Sequence, residues 1–165
     1  MRNLIVFRHG KSDWSAPAGG DHERPLEQRG VRAARRMGRF LAENGPAPDL
    51  VLASSALRAR TTAELAHAAG GWDCPLEVAP ELYETGAAAV LALLAERGGD
   101  AGTVVVAGHE PTSSELVALL TAGPPPTFPT AAMACLELDP SGPLEPGTAR
   151  LVWLVTPREL GADED

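Results

Sequence analysis

The chain has 165 residues, 44% of them hydrophobic, and a formal net charge of −8. That length predicts one domain with its own core, and the composition excludes a disordered chain. The acidic balance argues against nucleic acid as a main partner, since a polyphosphate backbone needs a basic surface. It also requires any anion site to be a local basic pocket.

Aromatic residues make up only 4%, so the core must be built from Ala, Leu and Val. Cys74 and Cys135 stand far apart, outside any Cys-x-x-Cys or Cys/His spacing. They read as reduced, half-buried thiols, with neither a disulfide framework nor a zinc site. Met1-Arg2-Asn3 runs straight into a short apolar strand, and no stretch has the apolar length of a membrane span. A cytoplasmic location and no membrane partner are the expectation.

In chain order, Asn3 to Phe7 is a β-branched and apolar run too short for a helix. Residues 27–44 place Val31, Ala34, Met37 and Leu41 at helical spacing, and Gly45-Pro46 stops that helix. Asp49 to Ala53 is the next strand. Ser54-Ser55 offers caps for a helix that runs to Gly70-Gly71. A short strand follows near Leu76–Ala79. Thr85 then precedes an Ala/Leu-rich helix that ends at Gly98-Gly99. Thr103 to Ala107 is strongly β, and Pro111 suits the start of a helix reaching about Ala122. After the rigid Gly123-Pro124-Pro125-Pro126 loop, strands near Ala132–Leu138 and Arg150–Thr156 close a single domain over 1–158. Residues 159–165 are expected to be a disordered acidic tail. Alternation of strand and helix predicts an α/β fold, a three-layer α/β/α sandwich with a mostly parallel central sheet.

Ligands of open α/β sheets bind beyond the carboxyl ends of the strands. Three strand ends carry chemistry: Arg8-His9-Gly10, Ser54 to Arg58, and Gly108-His109-Glu110-Pro111. They bring two histidines and two arginines to one rim. Arginine suits bidentate recognition of phosphate, and helix N-termini add donors. A phosphate could be neutralised there without a metal, and the usual metal spacings are absent. A histidine beside it can act as a nucleophile. Taken one at a time, His9 could equally be a buried histidine bonded to backbone, and His109 a polar helix cap. Arg8 and Arg58 could be surface ion-pair partners. The convergence of all four is what favours chemistry.

These segments match a known pattern. Arg8-His9-Gly10-Lys11-Ser12-Asp13-Trp14 resembles the N-terminal signature of the histidine phosphatase superfamily, which includes phosphoglycerate mutases. Ser54 to Thr62 resembles its second phosphate-binding segment, and Gly108-His109-Glu110-Pro111 its second-histidine segment. The resemblance spans roughly residues 3–156. Short length and Arg24-Pro25-Leu26 followed by Gly30 point to the SixA-like phosphohistidine phosphatase branch. The resemblance implies a phosphoglycerate mutase-like fold, a phosphatase without cofactor or metal, and a phosphorylated His9 intermediate. Arg8, Arg58 and His109 would bind the phosphoryl group together with His9. Leu82-Tyr83-Glu84 resembles the segment in which mutases place their catalytic Glu, making Glu84 the candidate proton donor, with Glu81 and Asp13 as rivals. Ser15 and Arg24 are candidates for the substrate rim. Lys11 and His22 share that loop, and Trp14 is either a packing anchor or a substrate platform. The partner would be a phosphorylated substrate, such as a histidine-phosphorylated protein. A small-molecule phosphomonoesterase and a catalytically silent phosphate-binding module are the alternatives, with a mutase behind them.

Overall fold

Six strands form one mixed sheet in the computed structural model, which describes residues 1–16 and 19–161. The strands are β1 (Asn3–Arg8), β2 (Leu50–Ser54), β3 (Leu76–Ala79), β4 (Thr103–Gly108), β5 (Met133–Leu138) and β6 (Ala149–Val155). The helices are α1 (Gln28–Asn44), α2 (Leu57–Gly70), α3 (Ala87–Arg97) and α4 (Thr112–Thr121). The sheet order is β3-β2-β4-β1-β5-β6. The first four strands of that order pair in parallel, while β5 and β6 add antiparallel.

Strand alternation divides the core between the two faces of the sheet. Leu4 and Val6 of β1 face a cluster with Leu52, Val104 and Val106 that packs on Leu94, Leu116 and Leu120 of α3 and α4. Ile5 and Phe7 face the other side, with Val51, Ala53, Val105 and Met133, against Met37, Leu41, Ala63 and Ala66 of α1 and α2. Helices thus cover both faces of the sheet, giving the expected three layers.

The α1–α2 crossing depends on a missing side chain. A Cβ on Gly38 would lie 2.2 Å from the Ala66 carbonyl oxygen. The buried stripe of α1 therefore includes Gly30 and Gly38 beside the expected Ala34, Met37 and Leu41. Gly30 does the same at the site: a Cβ there would lie 2.3 Å from Lys11 O. The turn after β1 can therefore rest directly on the start of α1.

Two local expectations change. Neither Ser54 nor Ser55 caps α2, since Ala56 occupies that position without a side-chain cap bond. Residues at the start of the expected tail have a fixed place instead: Arg158–Leu160 form a 3-10 turn, and Leu160 packs against the Phe7 side of the core. Of the residues assigned to the acidic tail, 162–165 lie outside the described residues. Both cysteines are free, Cys135 buried and Cys74 partly so. Among the described residues no helix is long and apolar enough to cross a membrane.

Candidate active site

β2, β4 and β1 are neighbours and run the same way, so their carboxyl ends meet at one edge. A cavity of about 480 Å³ opens there. Arg8, His9, Arg24, Arg58, Glu84 and His109 all line it.

His9 is locked by backbone on both sides. Its N–H donates to Gly108 O at 3.0 Å, and its carbonyl accepts from Ala131 N at 2.9 Å. The next residue ties the turn to α2: Gly10 N donates to Thr62 Oγ1 at 3.0 Å, and Thr62 Oγ1 donates to Arg58 O at 2.7 Å. The imidazole is buried, and its Nδ1 lies 2.7 Å from Gly10 O. A carbonyl only accepts, so Nδ1 carries the proton. Nε2 is left with its lone pair. Burial pushes His9 down to about 3, against the opposing effect of the Gly10 bond; His109, Arg58 and Arg8 press it further in the same direction. His9 is therefore neutral at physiological pH.

His109 follows β4, with its ring centroid 5.4 Å from that of His9. Its Nε2 lies 2.8 Å from Ser54 Oγ. Ser54 Oγ also accepts from Ala56 N at 3.3 Å. A hydroxyl can donate to Nε2 or accept from it, so this bond fixes the orientation of the His109 ring. Burial lowers His109 to about 4, helped by the Arg58 charge and opposed by Asp21.

The two arginines are held differently. Arg8 Nη1 donates to Phe128 O at 2.9 Å. Arg58 Nη1 donates to Asp21 O at 2.7 Å, and its Nη2 to Asp21 Oδ2 at 3.0 Å. The Nε atoms of both are buried without a hydrogen-bond partner. Both residues line the cavity, where guanidinium groups suit an anionic ligand.

Asp21 is the residue that sequence reasoning missed. It also accepts from Arg24 Nη1 at 2.6 Å and from the Tyr83 hydroxyl at 2.6 Å. The Tyr83 bond leads in holding its carboxyl far below the usual range, and the same bond pushes Tyr83 up to about 12. Tyr83 packs edge-on against both His22 and His109. His22 Nε2 lies 2.9 Å from Ser55 Oγ, pinning the loop after β1 across the site.

The proton-donor candidates separate. Glu84 lines the cavity and forms no hydrogen bond or ion pair among the described residues. Its backbone has φ 52, an uncommon conformation outside glycine. Glu81 instead faces Arg97 at 3.6 Å. Asp13 accepts from Ser15 Oγ at 2.7 Å and lines a smaller neighbouring cavity. Glu110 is on the wall, but it accepts from Ser114 N and Oγ at 2.6 and 2.8 Å. Ser15 is not on the cavity wall; its short side chain is spent on Asp13. Trp14 is no packing anchor, being 75% exposed. The Arg24 guanidinium stacks 3.5 Å above its ring. Among the described residues, no group of three or more His, Cys, Asp or Glu could hold a metal ion.

Comparison with known proteins gives the same picture. The model of the histidine phosphatase superfamily (branch 1) matches residues 4–96. An uncharacterized protein of Mycobacterium tuberculosis is 39% identical over 92% of this chain and 100% of its own length. Phosphohistidine phosphatase SixA of Escherichia coli is 35% identical over 95% of each chain. Among solved structures, the protein histidine phosphatase SixA complexed with tungstate superposes with a TM-score of 0.82 and 31% identity, covering 96% of this chain and 99% of that one. A SixA structure from Nakamurella multipartitia gives 0.80 at 32% identity, covering 94% and 96%. The chain belongs to the histidine phosphatase superfamily, and its reaction class is that of a phosphatase.

Proposed function

We propose that the protein is a cytoplasmic, metal-independent phosphatase in which Nε2 of His9 attacks phosphorus, and that its substrate is phosphohistidine in a protein. The observation that carries the mechanism is the 2.7 Å bond from His9 Nδ1–H to Gly10 O. It fixes the tautomer and leaves one nitrogen free to attack.

In the first step Nε2 forms a bond to phosphorus, and the bond from phosphorus to the substrate's oxygen or nitrogen breaks. The leaving atom keeps the electron pair and takes a proton from Glu84. In the second step a water oxygen attacks phosphorus, the Nε2–P bond breaks, and a water proton returns to Glu84. Phosphoryl transfer needs mainly positioning and charge stabilisation. Arg8, Arg58 and His109 would provide both around the three non-bridging oxygens.

The substrate reading rests on the SixA relatives and on the open cavity. A protein-borne phosphohistidine is bulky and needs such access. The test is a panel of phosphohistidine protein, sugar phosphates and phosphoglycerates, run with EDTA, with acid-labile phosphate trapped on His9. Full activity of His9→Ala rejects the mechanism. A large preference for a small metabolite rejects the substrate and favours a small-molecule phosphomonoesterase. Phosphate binding with no turnover of any substrate favours a silent binding module.

A further inference from the structure

A second cavity, of about 330 Å³, adjoins the catalytic one. Lys11 and Thr130 line both. Its other charged lining residues are Arg29, from the first turn of α1, and Arg158, from the 3-10 turn after β6. Three cations from three parts of the chain therefore meet in a protein of net charge −8. The close approach of Gly30 to Lys11 O holds the turn after β1 against α1, beside Arg29. The nearby carboxylate of Glu159 accepts from Thr156 Oγ1 at 3.0 Å.

The cations differ from those of the catalytic cavity. Arg58 is buried and clamped by Asp21. Arg29 and Arg158 are exposed, and Lys11 is partly so. A guanidinium fixed in place, such as that of Arg58, suits the planar, bidentate grip on a phosphate. Exposed charges on long stems instead suit solvated carboxylates on a macromolecular surface, where they govern encounter and register.

We propose that Lys11, Arg29 and Arg158 form a docking subsite for acidic side chains flanking the phosphorylated histidine of a protein substrate. This rests on the protein-phosphohistidine reading above. Lys11, on the wall shared by both cavities, would join the subsite to the reacting centre. The subsite selects substrates by surface charge and leaves the chemical step to the neighbouring cavity.

The test uses the full chain and two synthetic phosphohistidine peptides, one flanked by Asp and Glu, the other by Ser. p-Nitrophenyl phosphate serves as the small substrate. The wild type should favour the acidic peptide roughly tenfold, through KM, with the preference shrinking as salt rises. Arg158→Glu combined with Arg29→Glu should abolish or invert the preference while leaving p-nitrophenyl phosphate turnover within about twofold. Arg158→Lys should retain most of it. No preference in the wild type, or one that survives charge reversal, overturns the proposal while leaving the substrate reading in place. An equal loss on p-nitrophenyl phosphate overturns it as well, because the residues would then serve the chemistry. A preference for a small bisphosphorylated compound that the same variants erase assigns the subsite to a second phosphate and overturns it. If neither peptide is hydrolysed while p-nitrophenyl phosphate is, the phosphohistidine reading fails, and the docking proposal falls with it.

Discussion

Asp21 holds Arg58 at two points, with its backbone carbonyl on Nη1 and its carboxylate on Nη2. A carboxylate thus sits on the arginine proposed to hold the phosphate. It positions the guanidinium, and it also competes with the ligand for it. Asp21→Asn keeps an acceptor but removes the charge. Inhibition by inorganic phosphate should tighten roughly tenfold, as expected for deleting one charge a few ångströms away in a partly screened site. An unchanged inhibition constant would show that the pocket does not feel Asp21.

Ser54 orients the His109 ring through the 2.8 Å bond to Nε2. Ser54→Ala removes that bond and lets the ring turn away from the cavity. The expected result is a loss in kcat of roughly tenfold or more, with little change in KM, since the donor matters most as charge develops. Ser54→Thr should restore much of it. Steady-state kinetics on p-nitrophenyl phosphate separate the two constants.

Glu84 is tested by varying the leaving group. Glu84→Gln should cost about 10² in kcat for an alkyl phosphate, whose leaving oxygen needs a proton. For p-nitrophenyl phosphate, which leaves as a stable anion, the loss should be much smaller. Equal losses on both would remove Glu84 from the role of acid.

The two site histidines make stability depend on pH. Both are held neutral in the folded state, at about 3 for His9 and about 4 for His109, against an ordinary 6.5. Between those values and 6.5 the unfolded chain binds more protons. Their contribution is complete above 6.5 and is lost as pH falls toward 4 and then 3. Asp21, also depressed, adds to the acid loss only below its ordinary 3.8. Thermal melts should therefore show Tm level above about pH 7 and falling steadily below about pH 6. A His9→Asn, His109→Asn double variant should flatten that fall.

Gly38 gives a test of packing alone. Its missing Cβ leaves room for Ala66 O, which a methyl group would meet at 2.2 Å. Gly38→Ala gains helix propensity of about 1 kcal/mol. Forcing the helices apart costs about 1–3 kcal/mol, and the Trp72 Nε1 bond to Gly38 O is strained with it. A lower urea midpoint at unchanged slope is the expected outcome.

What the sequence revealed follows from how local each signal is. β1, β2 and β4 are apolar runs with chemistry at their ends, so Arg8, His9, Arg58 and His109 could be read before any fold was known. The antiparallel placement of β5 and β6 depends on pairing across the sheet, and neither strand carries a local mark of direction. Ser54 looked like a cap because capping and bridging use the same hydroxyl; only the return of β4 beside β2 brings His109 to it. Asp21 opens a single 3-10 turn, Asp21–Glu23, in the connection after β1, and its partners Arg24, Arg58 and Tyr83 are far apart in the chain. The Gly19-Gly20 pair before it marks a turn but not its destination. Ser15 shows the reverse error: a plausible loop position whose hydroxyl is satisfied two residues away.

The three indoles fall in three settings. Trp72 is buried with its N–H bonded, and Trp153 meets Phe40 edge-on. Trp14 lies open at the mouth of the catalytic cavity beneath Arg24. A ligand that drew the Arg24 guanidinium inward would uncover that ring and should change its emission, while the other two should fluoresce as before. Trp14 would then serve as a native optical probe of occupancy, read without a label or turnover.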